Sequence, residues 1–330
     1  MKELERVKRA IAMQSPDRVP ILFFNRDFER SDMVMIDVVN HFGGDDRKTS
    51  EYGFHWERLD ETMGHPKDVM IEDWEGFDSY SFPDPHHPAR FQKADETIER
   101  YGEKYYIASL ALSGFTVMTL LHGFENTLID LAIDPEHSNQ LADGVFSFEE
   151  DIIRQAKLHG FHAVGFFDDW GTQDSLIISP KQWREFFKPR YQKQFELCHA
   201  NGLDVYFHCC GYIMDIIDDL IEIGVNILNI SQPNLFDIRE LGERFGGKVC
   251  FLCPISYQTT SLTGTREDIF RDAKLLIDHL GCYHGGLIGY VEEYHSIGLS
   301  EENYQNCIDA FLEQGVYSNE QSVSSNRSVT

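Results

Sequence analysis

The run from Leu203 to Gly211 (LDVYFHCCG) places an imidazole and a thiol two residues apart at the end of an apolar stretch. On a β-strand, residues two apart point to the same side. His208 and Cys210 therefore aim together, and Cys209 aims the other way. A converging imidazole and thiolate make half of a zinc site. A catalytic zinc takes three protein ligands and leaves a fourth position open. The third ligand has to come from another strand end, and Glu292, Glu293, His295 and Cys253 are of the right type. A His-x-Cys pair alone is usually core packing, and its place at a strand end is what raises the metal reading.

From about residue 160 the sequence alternates strand-like and helix-like runs. Strands are expected at Phe161–Asp168, Val205–Cys210, Val225–Ser231, Val249–Pro254 and Gly286–Val291. Helices are expected at Pro180–His199, Ile213–Ile223, Phe236–Phe245, Arg266–Leu280 and Glu301–Glu313. Ser179-Pro180 and Ser300 are helix-start signals. Gly160, Gly202, Gly224, Gly246 and Gly281 fall where left-handed caps end helices. Such repeated βα units imply parallel strands. With earlier candidates at Val19–Phe24, Val69–Ile71 and Tyr105–Ala111, the pattern is that of an α/β (β/α)8 TIM barrel. An open doubly wound sheet is the runner-up, and no glycine-rich dinucleotide fingerprint supports it. Residues from Asp27 to about Tyr101 read as an irregular N-terminal excursion over the barrel mouth. The stretch Gly123–Ile153 reads as helix. A single domain is expected over residues 1–317, with a polar, disordered tail over 318–330.

Active sites of such barrels lie at the C-terminal ends of the strands. Polar residues recur there: Asn25 and Arg26 after the first strand, Asp168, Asp169 and Gln173 after the fourth, Gln232 after the sixth. Tyr290, Glu292, Glu293, Tyr294 and His295 follow at the eighth. Side chains from separate strand ends would converge on one cavity, which packing alone does not require. Cys198, Cys209 and Cys307 read as small buried hydrophobes. His86, His87, Glu149 and Glu150 read as lying on solvated faces.

Composition bounds the partners. The chain has 330 residues and a formal net charge of −26, which disfavours nucleic acid and anionic membranes. No apolar run approaches the roughly 20 residues that span a bilayer, and no export signal opens the chain, so a cytoplasmic location is expected. The seven cysteines suit free thiols or metal ligands better than a disulfide framework.

The chain resembles the uroporphyrinogen decarboxylase superfamily over nearly its full length. The carrying motifs are Asp17–Pro20 (DRVP), Asp168–Gln173 (DDWGTQ), Ser179–Trp183 (SPKQW), Lys188–Tyr191 (KPRY) and His208–Gly211 (HCCG). Gly264–Glu267 (GTRE) and Gly285-Gly286 followed by Ser300–Asn303 (SEEN) complete the set. The resemblance implies the (β/α)8 barrel. True decarboxylases carry an Arg-Gln-Ala-Gly-Arg run at the first strand, where this chain has Asn25–Arg30 (NRDFER). They also carry a histidine after the last strand, at the position of Glu293. The corrinoid-dependent methyltransferase branch carries His-x-Cys-Gly at strand five and a cysteine after strand eight, and binds zinc through all three. His208 and Cys210 match, and Glu293 stands where the second cysteine would be.

Replacing a thiolate by a carboxylate gives a harder, more Lewis-acidic zinc, suited to an oxygen leaving group. The resemblance thus implies methyl transfer from a small O-methyl compound, less readily an N- or S-methyl one, to a partner protein carrying a corrinoid (cobalamin). Zinc would be held by His208, Cys210 and Glu293. Asn25, Arg26, Asp168, Asp169, Gln173 and Gln232 are the expected substrate-binding residues, and Tyr290, Tyr294 and His295 the proton donors. The superfamily includes homodimers, so a homodimer is an arrangement the resemblance allows. The competing reading is a metal-free, decarboxylase-like lyase.

Overall fold

The computed structural model describes residues 1–24, 26–39, 49–57, 65–292 and 297–317. Parallel strands β1 (Ile21–Phe24), β2 (Met33–Asp37), β3 (Tyr105–Ser109), β4 (Ala163–Phe167), β5 (Asp204–Cys209), β6 (Ile227–Ile230), β7 (Cys250–Pro254) and β8 (Leu287–Glu292) close a barrel. Their order around it is β1-β8-β7-β6-β5-β4-β3-β2. The fold is the (β/α)8 barrel. The strands are apolar on both sides because helices cover the outside and side chains fill the inside. Two compact units divide the chain, Met1–Met33 with Gln232–Thr330 and Val34–Ser231.

The second strand is not where the sequence pattern placed it. Val69–Ile71 is no strand; the amides of Met70 and Ile71 both donate to the carbonyl of Leu121. The true β2 begins beside Asp32, which makes the run look like a loop. That carboxylate is fully buried and compensated by Arg6 at 2.6 Å and Arg18 at 2.8 Å. It also accepts from the Ile21 amide, so the buried charge is fully engaged.

Between β2 and β3 the chain makes its excursion, leaving from the C-terminal end of β2. Arg90 fastens it: the buried guanidinium forks onto Glu51 at 3.0 and 2.9 Å and donates to the carbonyls of Val38 and Pro85. The stretch Gly123–Ile153, expected as helix, is two helices, Phe124–Ile133 and Pro135–Ala156, and a further one, Gly114–His122, precedes them. Glu149 and Glu150 in Pro135–Ala156, expected on a solvated face, are buried instead. Pro180–His199 is helical but widens to a π turn at Trp183–Phe187, just before Pro189, whose missing N–H interrupts the α ladder. Ser179 and Ser300 cap their helices as expected. Gly246 and Gly281 do not take the left-handed conformation expected of them. The tail 318–330 lies outside the described residues.

Candidate metal centre at the ends of β4, β5 and β6

Strand register builds the site. His208 on β5 stands opposite Phe167 on β4 and Asn229 on β6. Two residues further along come Asp169, Cys210 and Ser231, on the same side by strand alternation. The His208 ring stacks on Phe167 with centroids 5.1 Å apart.

The loops that follow β4 and β5 are clamped backbone to backbone. Gly171 N–H donates to the Cys210 carbonyl, and Tyr212 N–H donates to the Thr172 carbonyl. A Cβ on Gly211, whose φ is +79°, would lie 2.1 Å from the Gly171 oxygen. Only glycine permits this approach. The clamp brings Asp169 over Cys210, whose amide donates to Asp169 Oδ1 at 2.8 Å.

The result is a three-residue cluster. His208 Nε2 lies 3.6 Å from Cys210 Sγ and 3.6 Å from Asp169 Oδ1. The donor atoms of Asp169, His208 and Cys210 all fall within 4.8 Å of one another. Tetrahedral zinc with ordinary bond lengths would space sulfur and nitrogen by about 3.6 Å, and nitrogen and oxygen by about 3.4 Å. The donor set and spacing therefore fit zinc. His208 is one-fifth exposed and Asp169 about half, so the cluster is open to solvent. Burial opposes protonation of His208. The hydrogen bond to Cys210, the Cys210 and Asp169 charges and the Asn229 contact outweigh it and lift the imidazole to about 9.

Asp168 is corrected by the structure. Expected to bind substrate, it is fully buried and accepts from the Phe115 amide at 2.9 Å, the Thr116 amide and hydroxyl at 2.7 Å each, and the Tyr191 hydroxyl. Burial pushes its carboxyl up to about 7 against these donors. It anchors the helix Gly114–His122. Glu149 accepts from the Gly114 amide beside it.

Each of the other expected site residues has its own setting. Arg26 forks onto Glu301 at 3.1 and 2.9 Å and lies over the Tyr304 ring, so it is committed to an ion pair. Gln173 is exposed on the loop after β4, and Gln232 is almost buried after β6. Tyr290 donates to Glu292 Oε2 at 2.6 Å. Cys253 is fully buried on β7. Asn25, Glu293, Tyr294 and His295 lie outside the described residues. Asp169, expected as a substrate contact, stands beside the imidazole and thiol. Asn229, whose Oδ1 lies 2.6 Å from His208 Nδ1, was missed. The signal was an asparagine two residues before a serine in an apolar strand, the same i, i+2 spacing as His208 and Cys210.

Fold and site together define a TIM-barrel protein with a mixed imidazole, thiol and carboxylate centre at the strand ends. The chain belongs to the uroporphyrinogen decarboxylase (URO-D) family, whose model matches residues 62–288. Among solved structures it is similar to a methyltransferase from Methanosarcina mazei, with a TM-score of 0.71 and 14% identity over 95% of this chain and 99% of that one. A D-psicose 3-epimerase aligns with a TM-score of 0.47 and 8% identity over 88% of this chain and 93% of that one. No curated protein matches.

Proposed function

We propose that this protein is a zinc-dependent methyltransferase that moves a methyl group from a small O-methylated compound to a corrinoid-bearing partner protein. The observation that carries this reading is the convergence of Asp169, His208 and Cys210 in a URO-D barrel. The M. mazei methyltransferase shares the fold, which supports methyl transfer as the reaction class.

His208 and Cys210 would hold the zinc with a carboxylate as third ligand. Asp169 is the candidate among the described residues, and Glu293 is the alternative the family resemblance supplies. Zinc held there supplies a Lewis acid for the substrate's heteroatom. The chain's own residues do the rest. Asn229 orients His208, Phe167 limits water on one side of the ring, and the Asp169–Cys210 hydrogen bond fixes the carboxylate. In the transfer the C–O bond breaks with its electron pair left on oxygen. The electron pair for the new bond to methyl would come from a reduced corrinoid carried by the partner protein as co-substrate. The departing oxygen takes a proton, for which Tyr290, Tyr294 and His295 are the candidate donors.

The test is metal content by mass spectrometry on untagged wild type, Cys210→Ala, Asp169→Asn and Glu293→Ala. About one zinc per wild-type chain is expected, lost in Cys210→Ala. Loss in Asp169→Asn or in Glu293→Ala identifies the carboxylate. Wild type without zinc after reconstitution under reducing conditions overturns the proposal, and coproporphyrinogen formation from uroporphyrinogen would replace it by the lyase.

A further inference from the structure

Behind the imidazole lies a second, buried arrangement that metal binding alone does not require. Asn229 on β6 is 1% exposed. Its Oδ1 accepts from His208 Nδ1 at 2.6 Å and from the Tyr206 hydroxyl at 2.9 Å. Tyr206 precedes His208 by two residues on β5 and is itself fully buried. One amide oxygen thus receives both groups through its two lone pairs. An amide oxygen can only accept, so Nδ1 carries a proton whatever the charge of the ring, and Nε2 is the nitrogen turned toward Cys210 and Asp169.

We infer that Asn229, held by Tyr206, is a positioning residue that fixes His208 in its Nδ1–H form and, being neutral, keeps the imidazole a weaker electron donor than a carboxylate partner would. The inference rests on the metal reading above. Metal-bound histidines commonly hand their second N–H to a carboxylate or a carbonyl, and a carboxylate raises the ring's basicity. Here Cys210 and Asp169 already offer two negative charges to one divalent ion. A third, buried beside Phe167, would be poorly solvated and would soften the Lewis acid that an oxygen leaving group needs. A neutral amide supplies direction without charge.

The experiment compares wild type, Asn229→Leu, Asn229→Asp and Tyr206→Phe by zinc affinity in competition with a chromogenic chelator. Histidine ring nitrogen shifts in the metal-free proteins, followed up to a pH at which the ring is neutral, give a second readout. Asn229→Leu is expected to weaken zinc binding roughly ten- to a hundredfold and to give His208 a mixture of tautomers. Asn229→Asp, which keeps the shape, is expected to tighten zinc binding. Tyr206→Phe is expected to weaken it less than Asn229→Leu does. A merely structural asparagine would lower affinity in both Asn229 variants and leave the tautomer unchanged. That pattern, or an Nε2–H tautomer in the wild type, overturns the inference while wild type still binds zinc. Wild type that binds no zinc overturns the metal reading on which the inference stands.

Discussion

Two adjacent aspartates part company because they sit at the end of a strand. Asp169 turns toward His208 and Cys210, and Asp168 turns into the wall, where its oxygens are taken up by backbone and hydroxyl donors. The sequence shows two carboxylates there, but not which of them the helix Gly114–His122 will claim. Asp168→Asn would face an amide NH2 toward groups that also donate. It should cost about 2–4 kcal/mol in urea unfolding, in line with buried, charge-assisted hydrogen bonds. Glu149 makes a pH prediction. Burial raises its carboxyl to about 8 from an ordinary 4.5, against hydrogen bonds from Gln194 and Gly114. Because the folded state holds this proton more tightly, its contribution to stability is complete below about pH 4.5 and lost as pH rises through 8. Glu149→Gln keeps the shape and has no proton to lose. Gln194 Oε1, buried without a partner, can turn to accept from the new amide. Unfolding free energies measured from pH 5 to 9 should fall in wild type by on the order of 3 kcal/mol more than in the variant. Parallel curves would show that Glu149 does not titrate in this range.

At the scale of elements, β5 was legible and β2 was not. The apolar run before His208 has the length and the flanking glycines of a buried strand, so the i, i+2 argument for His208 and Cys210 needed no coordinates. β2 starts at a buried aspartate whose compensation comes from Arg6 and Arg18, one in the N-terminal helix and one before β1. No local pattern reports such partners. Asn229 was hidden for the opposite reason: one polar residue in an apolar strand looks like noise until its neighbour's register is known. The clamp between the loops after β4 and β5 gives a prediction at this scale. Gly211→Ala would set a methyl 2.1 Å from the Gly171 carbonyl oxygen in a left-handed backbone. One loop has to move, and Asp169 moves away from Cys210 with it. The variant should lose most of its zinc affinity and about 1–3 kcal/mol of stability. Full retention of zinc would mean that the clamp does not position the site.

Over the whole molecule, the barrel was readable because βα alternation from residue 160 onward repeats a single solution to burying a parallel sheet. The excursion before β3 has no such repeat; it is held by particular contacts such as Arg90 with Glu51, which pattern cannot supply. Charge is the other whole-molecule property, and it yields a prediction that concerns no single residue. The chain carries 55 acidic and 29 basic side chains. Compact folding brings this excess negative charge together, and the self-repulsion opposes the folded state. Salt acts on the two kinds of electrostatic term differently. Screening length falls from about 30 Å at 0.01 M to about 8 Å at 0.15 M, so diffuse repulsion across the surface is largely removed. Exposed ion pairs are worth little to begin with, and buried ones such as Arg6 with Asp32 are screened least. The repulsive term should therefore win, and added sodium chloride should stabilise the protein. Urea unfolding, in which the denaturant carries no charge, should show its midpoint rising steadily from about 10 to 150 mM salt and flattening beyond. A midpoint that falls over that range would mean that the ion pairs, and not the net charge, govern how this barrel responds to its solvent.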